Sequence, residues 1–329
     1  MNSPERTSTA DALPQFSDEQ ILQARGVRNE VRSDRPYHWL VETERSADGS
    51  IVDVATVFLT NKECPFRCLM CDLWKNTTEE SVPVGAIPTQ IEFALQQLPP
   101  AQQIKLYNSG NFFDAKAIAP TDHAAIAKLV SGFDNVIVEN HPRLCDDRCL
   151  RFRDLCGTAL EIAIGLETSH EPTLQMLNKQ MTSDDFRQAC SFLTAAGIRV
   201  RTFILLRPPL TSEQQGIDRA IESVRFAFDC GVNCCAVIPT RPGNGMLDRL
   251  QNAGQFKRPK LTSLETVLNE TVGRGKGRVF ADQWDAEQFA DCSSCAAARI
   301  ERLNQMNLQQ TRLPEIECNV CQRPSGSRG

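Results

Sequence analysis

The chain has 329 residues, of which 41% are apolar and 23% are charged, and its formal net charge is −5. This composition is that of a globular protein with a sizeable core, and the sequence has no apolar run of about 18 residues that would predict a membrane span. The acidic balance gives no support to unaided nucleic-acid binding, which ordinarily needs a basic excess. Because the N-terminus lacks the apolar stretch of a signal peptide, we expect a cytoplasmic protein with no membrane partner, whose fourteen cysteines are free thiols or metal ligands.

Residues 1–49 are predicted to form an N-terminal extension. Most of its first part is polar and part of it is expected to be mobile, although residues 18–27 have the pattern of a short helix. Two extended segments then flank a turn at Asp48-Gly49, and the second of them covers residues 51–60.

Between residues 50 and 250, short apolar strands alternate with amphipathic helices. The first predicted strand ends at residue 60. The other five cover residues 103–107, 135–139, 160–166, 198–206 and 233–238. Such alternation is typical of a parallel α/β sheet that right-handed crossovers curl into a barrel or a doubly wound layer. Six units are too few for a closed barrel of eight units and about 250 residues. The predicted fold class is therefore α/β, a partial (β/α)6 TIM-type barrel with an open side available to substrate.

The pattern changes near residue 250, and residues 251–329 are predicted to form a small C-terminal cysteine-rich, metal-binding domain. A basic glycine-rich stretch at 273–278 is expected to be a flexible loop. Beyond it, two C-x2-C pairs are formed by Cys292, Cys295, Cys318 and Cys321. Four thiolates in two such pairs favour a closed tetrahedral site, and the pattern leaves zinc and a second iron–sulfur cluster open. The alternative is four free thiols in a disordered tail.

Three further cysteines, Cys64, Cys68 and Cys71, follow the first predicted barrel strand with C-x3-C-x2-C spacing. Three thiolates can hold a [4Fe–4S] cluster and leave one iron open to a small molecule. Structural clusters and zinc sites are normally closed by a fourth ligand, so the alternative is a zinc loop whose fourth ligand lies elsewhere. In α/β barrels the active site lies at the C-terminal ends of the strands, which is where this loop begins.

The cysteine loop and the polar residues at later strand ends resemble the core of the radical S-adenosylmethionine (SAM) superfamily, over roughly residues 50–250. Within it they are similar to the group that includes the Elongator catalytic subunit, MiaB-type and NifB-type enzymes, and coproporphyrinogen dehydrogenase. In this superfamily the open iron chelates the amino and carboxylate groups of SAM, so the resemblance implies a [4Fe–4S] cluster and SAM as cofactors. Met70 departs from the group, which usually has an aromatic residue before the third cysteine.

The same resemblance implies a set of cofactor-binding residues. They are Asn108, Ser109, Gly110, Glu139, Glu167 and Lys179. The first three match a glycine-rich turn whose backbone meets the SAM amino group, Glu139 matches a carboxylate that approaches SAM, and Glu167 matches a polar residue near the ribose. Lys179 stands where the group has an arginine that pairs the methionyl carboxylate, and it would act as a point charge without the bidentate fork. No residue is predicted to be catalytic.

A narrower resemblance, to the beta subunit of archaeosine synthase, reaches back into the N-terminal segment. It rests on Trp39 and Glu42, the Asp48-Gly49 turn, the Cys-Leu-Met-Cys end of the loop, and residues 107–114 and 205–209. That family acts on a modified tRNA base with a partner subunit. The resemblance implies a distant homologue and does not transfer the substrate.

The predicted function is that of a radical SAM enzyme, which cleaves SAM reductively to a 5′-deoxyadenosyl radical that abstracts hydrogen from a substrate. Chemistry like that of tRNA modification is one form of this prediction. The implied partners are an electron donor such as ferredoxin or flavodoxin and a small-molecule, protein or RNA substrate. The alternative is a non-catalytic iron–sulfur or zinc scaffold, which would have no use for the carboxylates at the strand ends or for Lys179.

Overall fold

The computed structural model describes residues 13–274 and 276–321, and this part of the chain holds eight strands and ten α-helices. Strands β1 to β8 are His38–Arg45, Ile51–Phe58, Gln103–Tyr107, Asn135–Asn140, Ala159–Glu167, Arg199–Leu206, Cys234–Pro239 and Arg278–Ala281. Helices α1 to α10 are Asp18–Ala24, Ala86–Leu95, His123–Val130, Asp147–Cys156, Glu171–Met176, Ser183–Ala195, Glu213–Asp229, Met246–Asn252, Leu261–Thr271 and Ala296–Gln309. Within the described ranges, none of these helices has both the length and the apolar character needed to cross a bilayer.

All eight strands form one sheet in the order β1 to β8. Strand β1 is antiparallel to β2, and every later pair of neighbours is parallel. Because consecutive parallel strands are joined by helical crossovers, the sheet curls into a half-barrel. The predicted α/β partial barrel with a cysteine-rich C-terminal extension is confirmed, and its six units begin with β2 and end with β7.

Four elements are not predicted by the sequence pattern, namely α5, α8, α9 and β8. Strand β8 adds a seventh parallel strand, although it follows residue 250. It begins inside the stretch predicted to be a flexible loop, and that prediction is wrong at Arg278, whose guanidinium is buried and lies 3.0 Å from Glu161. Residue 275 of that stretch lies outside the described residues. A strand of four residues is too short to show a clear period in the sequence.

The main hydrophobic core lies between the outer face of the sheet and its helices. Alternate strand residues such as Leu106 and Val138 point into it and are fully buried. Helix α7 shows how the sequence specifies this layer, since Ser212 begins it with a capping box and Ile217 and Val224 lie on its buried face. The apolar period on the helices therefore matches the outer face of the strands.

The inner face of the half-barrel has a charged floor near the N-terminal ends of the parallel strands. Its members are Glu44, Lys105, Glu161, Arg201 and Arg278, and all five are largely buried. Lys105 lies 2.5 Å from Glu44, and Arg201 lies 2.6 Å from Glu161. Burial opposes ionisation of Glu161, but Arg201 and Arg278 lower its pKa below the ordinary value. Buried charges are costly unless each is paired, and this network pairs the charges on that part of the inner face.

Above the floor, the inner face is apolar and partly open. The rings of Phe58, Tyr107 and Phe203 lie side by side, with centroids 6.2 Å apart between successive rings. Although β7 is not an edge strand, its inward residues Ala236 and Ile238 are only half-buried, as are the three rings. We call the space that they line the lumen, and it leads toward the C-terminal ends of the strands.

Helix α10 covers the free edge of β8. The N–H of Ala281 donates to Asn307 Oδ1 (2.8 Å), and Asn307 Nδ2 donates to the carbonyl of Ala281 (2.9 Å). Gln310 makes the same pair of bonds with Val279, at 2.7 and 2.9 Å. Two side-chain carboxamides thus stand in for a neighbouring strand. The helix also contacts β1, so it lies between the two edges of the open sheet.

Candidate functional site

The three-cysteine loop leaves the C-terminal end of β2 and lies at the open end of the half-barrel. Each of its thiols interacts electrostatically with the other two. Burial raises the pKa of Cys64 to about 11 and the pKa values of Cys68 and Cys71 to about 12. A metal that binds here must therefore displace the thiol protons.

The spacing of these thiols does not match a single metal ion. Among the described residues, no set of three His, Cys, Asp or Glu ligands that includes them has all its ligand atoms within 4.8 Å. A tetrahedral ion with sulfur bonds of about 2.3 Å needs sulfurs about 3.8 Å apart. At least one pair of the three sulfurs therefore lies farther apart than two ligands of a single tetrahedral ion.

Hydrogen bonds from two later segments hold the backbone of the loop. The N–H of Leu69 donates to the carbonyl of Leu177 at 2.8 Å. Asn178 Nδ2 donates to the carbonyl of Arg67 at 2.8 Å, and Asn244 Nδ2 donates to that of Leu69 at 2.6 Å. Asn178 adopts a φ of 49°, a left-handed conformation that asparagine tolerates better than most residues. The segments after α5 and before α8 thus fix the loop without occupying its thiols.

Glu63 connects the loop to the N-terminal extension. Its carboxylate accepts hydrogen bonds from Arg25 (2.6 Å) and Arg28, and it forms an ion pair with the loop's own Arg67 (3.1 Å). Burial opposes ionisation, but Arg25 and Arg28 lower the pKa of Glu63. Helix α1 also packs against α8 in a second hydrophobic core behind the loop. The described part of the N-terminal extension is therefore packed onto the site.

The turn that follows β3 presses against the cysteine loop. Glu139 Oε1 accepts the N–H groups of Asn108 (2.7 Å) and Gly110 (3.1 Å). A Cβ at Gly110 would lie 3.3 Å from Cys64 Cβ, so a larger residue would crowd the loop. Asn111 Nδ2 donates to Cys64 Sγ at 3.1 Å. Burial raises the pKa of Glu139 to about 7, and the carboxyl shapes this turn from below.

Asn108 carries buried polar atoms that no described residue satisfies. Its side chain is fully buried, and neither Oδ1 nor Nδ2 has a hydrogen-bond partner among the described residues. The next residue, Ser109, adopts a φ of 52° and lies 3.0 Å from the hydroxyl of Tyr37. An unsatisfied buried amide costs stability, and strained backbone is common at binding sites. This turn has the properties of a place that receives a polar group.

Lys179 and Glu167 form a buried ion pair at the end of β5, with Nζ 2.7 Å from Oε1. Although burial opposes it, Glu167 and the nearby thiols of Cys68 and Cys64 raise the pKa of Lys179. At Gly165 a Cβ would collide with both members of the pair. Lys179 thus lies beside the cysteine loop and has a protein partner, Glu167, that its sequence position does not reveal.

Sequence reasoning notes His141 for its place beside Glu139 at a strand end, but it does not reveal what the ring contacts. His141 stacks on Phe66 with ring centroids 3.7 Å apart, and its Nε2 lies 3.0 Å from the carbonyl of Lys179. Burial and the charge of Lys179 lower the pKa of His141 to about 3, so the ring is neutral. Tyr37 and Asn244 are also missed, since they act through contacts between distant segments.

The four C-terminal cysteines come together in a separate place. The sulfurs of Cys292, Cys295, Cys318 and Cys321 all lie within 4.8 Å of one another. Hydrogen bonds from the backbone N–H groups of Cys321 and Val320 lower the pKa of Cys318 to about 6. The structure thus brings together all four predicted ligands of this second group.

No family model matches the chain. An uncharacterised protein of Methanocaldococcus jannaschii is 23% identical over 324 residues, which cover 91% of this chain and 88% of that protein. Archaeosine synthase subunit beta of Methanosarcina acetivorans is 27% identical over 217 residues. That match covers 62% of this chain and 61% of the subunit, less than two thirds of either.

The fold also matches a solved structure. Methylornithine synthase, a radical SAM enzyme, superposes with a TM-score of 0.51 at 13% sequence identity, over 91% of this chain and 82% of that one. At this identity the match bears on the fold alone. The predicted resemblance to the radical SAM enzymes, and the more distant one to archaeosine synthase subunit beta, is confirmed.

Proposed function

We propose that this chain is a radical SAM enzyme whose Cys64, Cys68 and Cys71 hold a [4Fe–4S] cluster. The observation that carries the proposal is the three-thiol loop at the C-terminal ends of the strands, whose sulfurs do not all lie within 4.8 Å of one another. When bound, the cluster and SAM would supply a 5′-deoxyadenosyl radical able to abstract hydrogen from a substrate. An electron donor such as ferredoxin or flavodoxin belongs to the proposal.

The residues around the loop fit this pair of cofactors. The buried amide of Asn108 has no partner in the described part of the chain and would pair with a polar group of SAM. Gly110 keeps the turn close to Cys64. Glu139 holds that turn in place, and Lys179 puts a positive charge beside the loop. Each contribution is one of binding or orientation, while the radical chemistry belongs to the cofactor.

The lining of the lumen is suited to a substrate with a flat, weakly polar part. Its wall carries the rings of Phe58, Tyr107 and Phe203, and the charges of its floor are paired with one another. Together with the similarity to archaeosine synthase subunit beta, this supports a nucleobase as the substrate. A chain of net charge −5 has little means of holding tRNA alone, so the proposal includes a partner subunit with a basic surface.

The test is the formation of 5′-deoxyadenosine, followed by mass spectrometry, when SAM and dithionite are added to the anaerobically reconstituted protein. We expect about four irons per chain, the content of one [4Fe–4S] cluster, and a product that depends on them. Substituting Cys64, Cys68 and Cys71 by alanine together should remove both. Cys230→Ala, a change outside the loop, serves as the matched control and should retain both.

Full iron content in the triple variant would contradict the assignment of the three cysteines. Iron bound in the loop without any 5′-deoxyadenosine would instead favour the non-catalytic scaffold. The two measurements therefore separate the metal site from the activity.

A further inference from the structure

The C-terminal cysteines have the dimensions of a site for one ion. Cys292 Sγ lies 3.9 Å from Cys318 Sγ, and Cys295 Sγ lies 3.6 Å from Cys321 Sγ. A tetrahedral ion with sulfur bonds of about 2.3 Å has edges of about 3.8 Å between its ligands. In a [4Fe–4S] cluster each thiolate binds a different iron, so the four sulfurs lie farther apart. The geometry thus distinguishes two possibilities that the cysteine spacing leaves open.

A buried basic network lies directly behind these sulfurs. Arg299, on the first turn of α10, donates from Nε to Cys295 Sγ at 3.2 Å. The same guanidinium is paired with Glu265 of α9, which also accepts a bond from Arg302 at 2.9 Å. Four thiolates on a divalent ion carry a net charge of −2, and a hydrogen bond from a cation reduces that excess. Groups placed behind metal ligands in this way orient them and tune the affinity of the site.

The same helix connects the cysteines to the half-barrel. Cys295 immediately precedes α10, and Asn307 and Gln310 at its other end bind the edge of β8. Cys318 and Cys321 come from the segment that returns after the helix. An ion that joins the two pairs would hold both ends of this segment and so keep the helix against the sheet.

We propose that Cys292, Cys295, Cys318 and Cys321 hold one tetrahedral zinc ion, that Arg299 positions its Cys295 ligand, and that the ion fixes α10 across the edge of the half-barrel. Zinc is favoured over mononuclear iron because a thiolate site binds it more tightly than Fe²⁺. The proposal is independent of the function assigned to the three-cysteine loop.

The test begins with the zinc and iron content of the full chain, measured by inductively coupled plasma mass spectrometry after anaerobic purification. We expect one zinc per chain in the wild type. The double variant Cys318→Ser and Cys321→Ser should lose the zinc, keep the iron of the loop, and become sensitive to protease within α10. Cobalt(II) exchanged into the wild type should show the strong visible absorption of a tetrahedral thiolate site.

Arg299→Met keeps all four ligands and therefore tests the site even where a cysteine variant fails to fold. We expect its zinc affinity, measured by competition with a chromogenic chelator, to fall by about 10–100-fold. Arg299→Lys should recover part of that loss. Arg312→Met, at an exposed arginine of the same segment, should bind zinc as the wild type does.

Three outcomes would overturn the proposal. A content of about eight irons per chain, all dependent on cysteine, would mean a second cluster in place of zinc. One iron in the C-terminal site would mean a mononuclear iron centre. Unchanged zinc affinity in Arg299→Met would remove the role given to that arginine.

Discussion

The ion pair of Lys179 and Glu167 bears on protein stability and on the proposed binding of SAM. Both side chains are buried, and the nearby thiols of Cys68 and Cys64 contribute to the raised pKa of the lysine. If Lys179 also attracts the SAM carboxylate, its two roles are separable, because only one of them requires Glu167. A double-mutant comparison tells them apart.

Removing one partner should be worse for stability than removing both. Lys179→Met leaves a buried carboxylate unpaired, and we expect a loss of about 3–5 kcal/mol in the free energy of unfolding. Adding Glu167→Gln should restore most of that stability. SAM affinity, followed by calorimetry, should fall by about one to two decades in both variants, the effect of one charge-assisted contact. Affinity that recovers together with stability would contradict a direct role for Lys179.

His123 gives the protein a predictable acid sensitivity. It is buried among the rings of Phe112, Phe113 and Phe152, and its Nε2 has no hydrogen-bond partner within the described ranges. Burial lowers its pKa from 6.5 to about 4. The unfolded chain therefore takes up a proton that the folded one does not, and stability is lost as the pH falls from about 6.5 through about 4.

We expect His123→Phe to reduce the fall of the melting temperature between pH 6.5 and pH 4. The comparison uses the slope against pH, so any packing cost of the larger ring cancels. His38→Phe, at an exposed position on β1, is the control and should keep the slope of the wild type. Equal slopes in all three proteins would show that His123 is not the source.

The sequence locates Lys179 and Glu167 at the site but does not show that they pair. Their contact depends on a bulge in β5, where the register with β6 shifts between Gly165 and Glu167 and Glu167 adopts a φ of 65°. A bulge re-aims a side chain, and no local pattern announces it. The role proposed for Cys64, Cys68 and Cys71 rests instead on their spacing after a strand, which the sequence shows directly.

Helices and strands of ordinary length are predictable here because their apolar period is long enough to read. In α10 the apolar stripe is formed by Ile300, Leu303 and Met306, and the polar Asn307 follows the last of them. What the stripe does not reveal is that Asn307 binds the backbone of β8, a strand of four residues that has no clear signal of its own. The role of Asn307 cannot be predicted from the sequence, because the strand that it binds is not predicted either.

Asn307→Leu should leave α10 helical and loosen the edge of β8. The N–H and carbonyl of Ala281 would lose their partners. A buried polar group left without a hydrogen bond costs about 1–3 kcal/mol of stability. Hydrogen exchange across residues 278–281 is the direct measurement, and we expect it to accelerate. Gln309→Leu, a neighbouring exposed position that bonds within the helix, should leave that exchange unchanged. Faster exchange in neither variant would mean that the carboxamide contributes little.

Segments near both limits of the described chain pack onto the half-barrel. The N-terminal extension reaches the cysteine loop through Arg25 and Arg28, while α10 meets β1 through a bond from Arg45 to the carbonyl of Leu308, 263 residues away. The repeating strands and helices between them are the part that sequence predicts well. These two sets of contacts have no period in the sequence and join segments remote in the chain, so only the three-dimensional structure reveals them.

We expect the double variant Arg25→Ala and Arg28→Ala to weaken the hold of the loop on its metal. Glu63 would be left with Arg67 as its remaining arginine partner among the described residues, at a position next to Cys64. The measurement is the rate at which a chelator removes iron from the reconstituted protein. The double variant Arg32→Ala and Arg35→Ala, on the same segment but with more exposed side chains, is the control. Identical rates in the two variants would assign the N-terminal residues no part in retention.

The carboxamide cover on β8 also bears on solubility. Three of the four residues of that strand are apolar, and the backbone groups on its outer edge are satisfied by two side chains rather than by another strand. Whatever releases α10 would therefore uncover a short apolar edge able to pair with the same edge of a second molecule. Protein in which α10 has been released should therefore precipitate before its barrel unfolds. Asn307 and Gln310 prevent this pairing by covering the edge of β8.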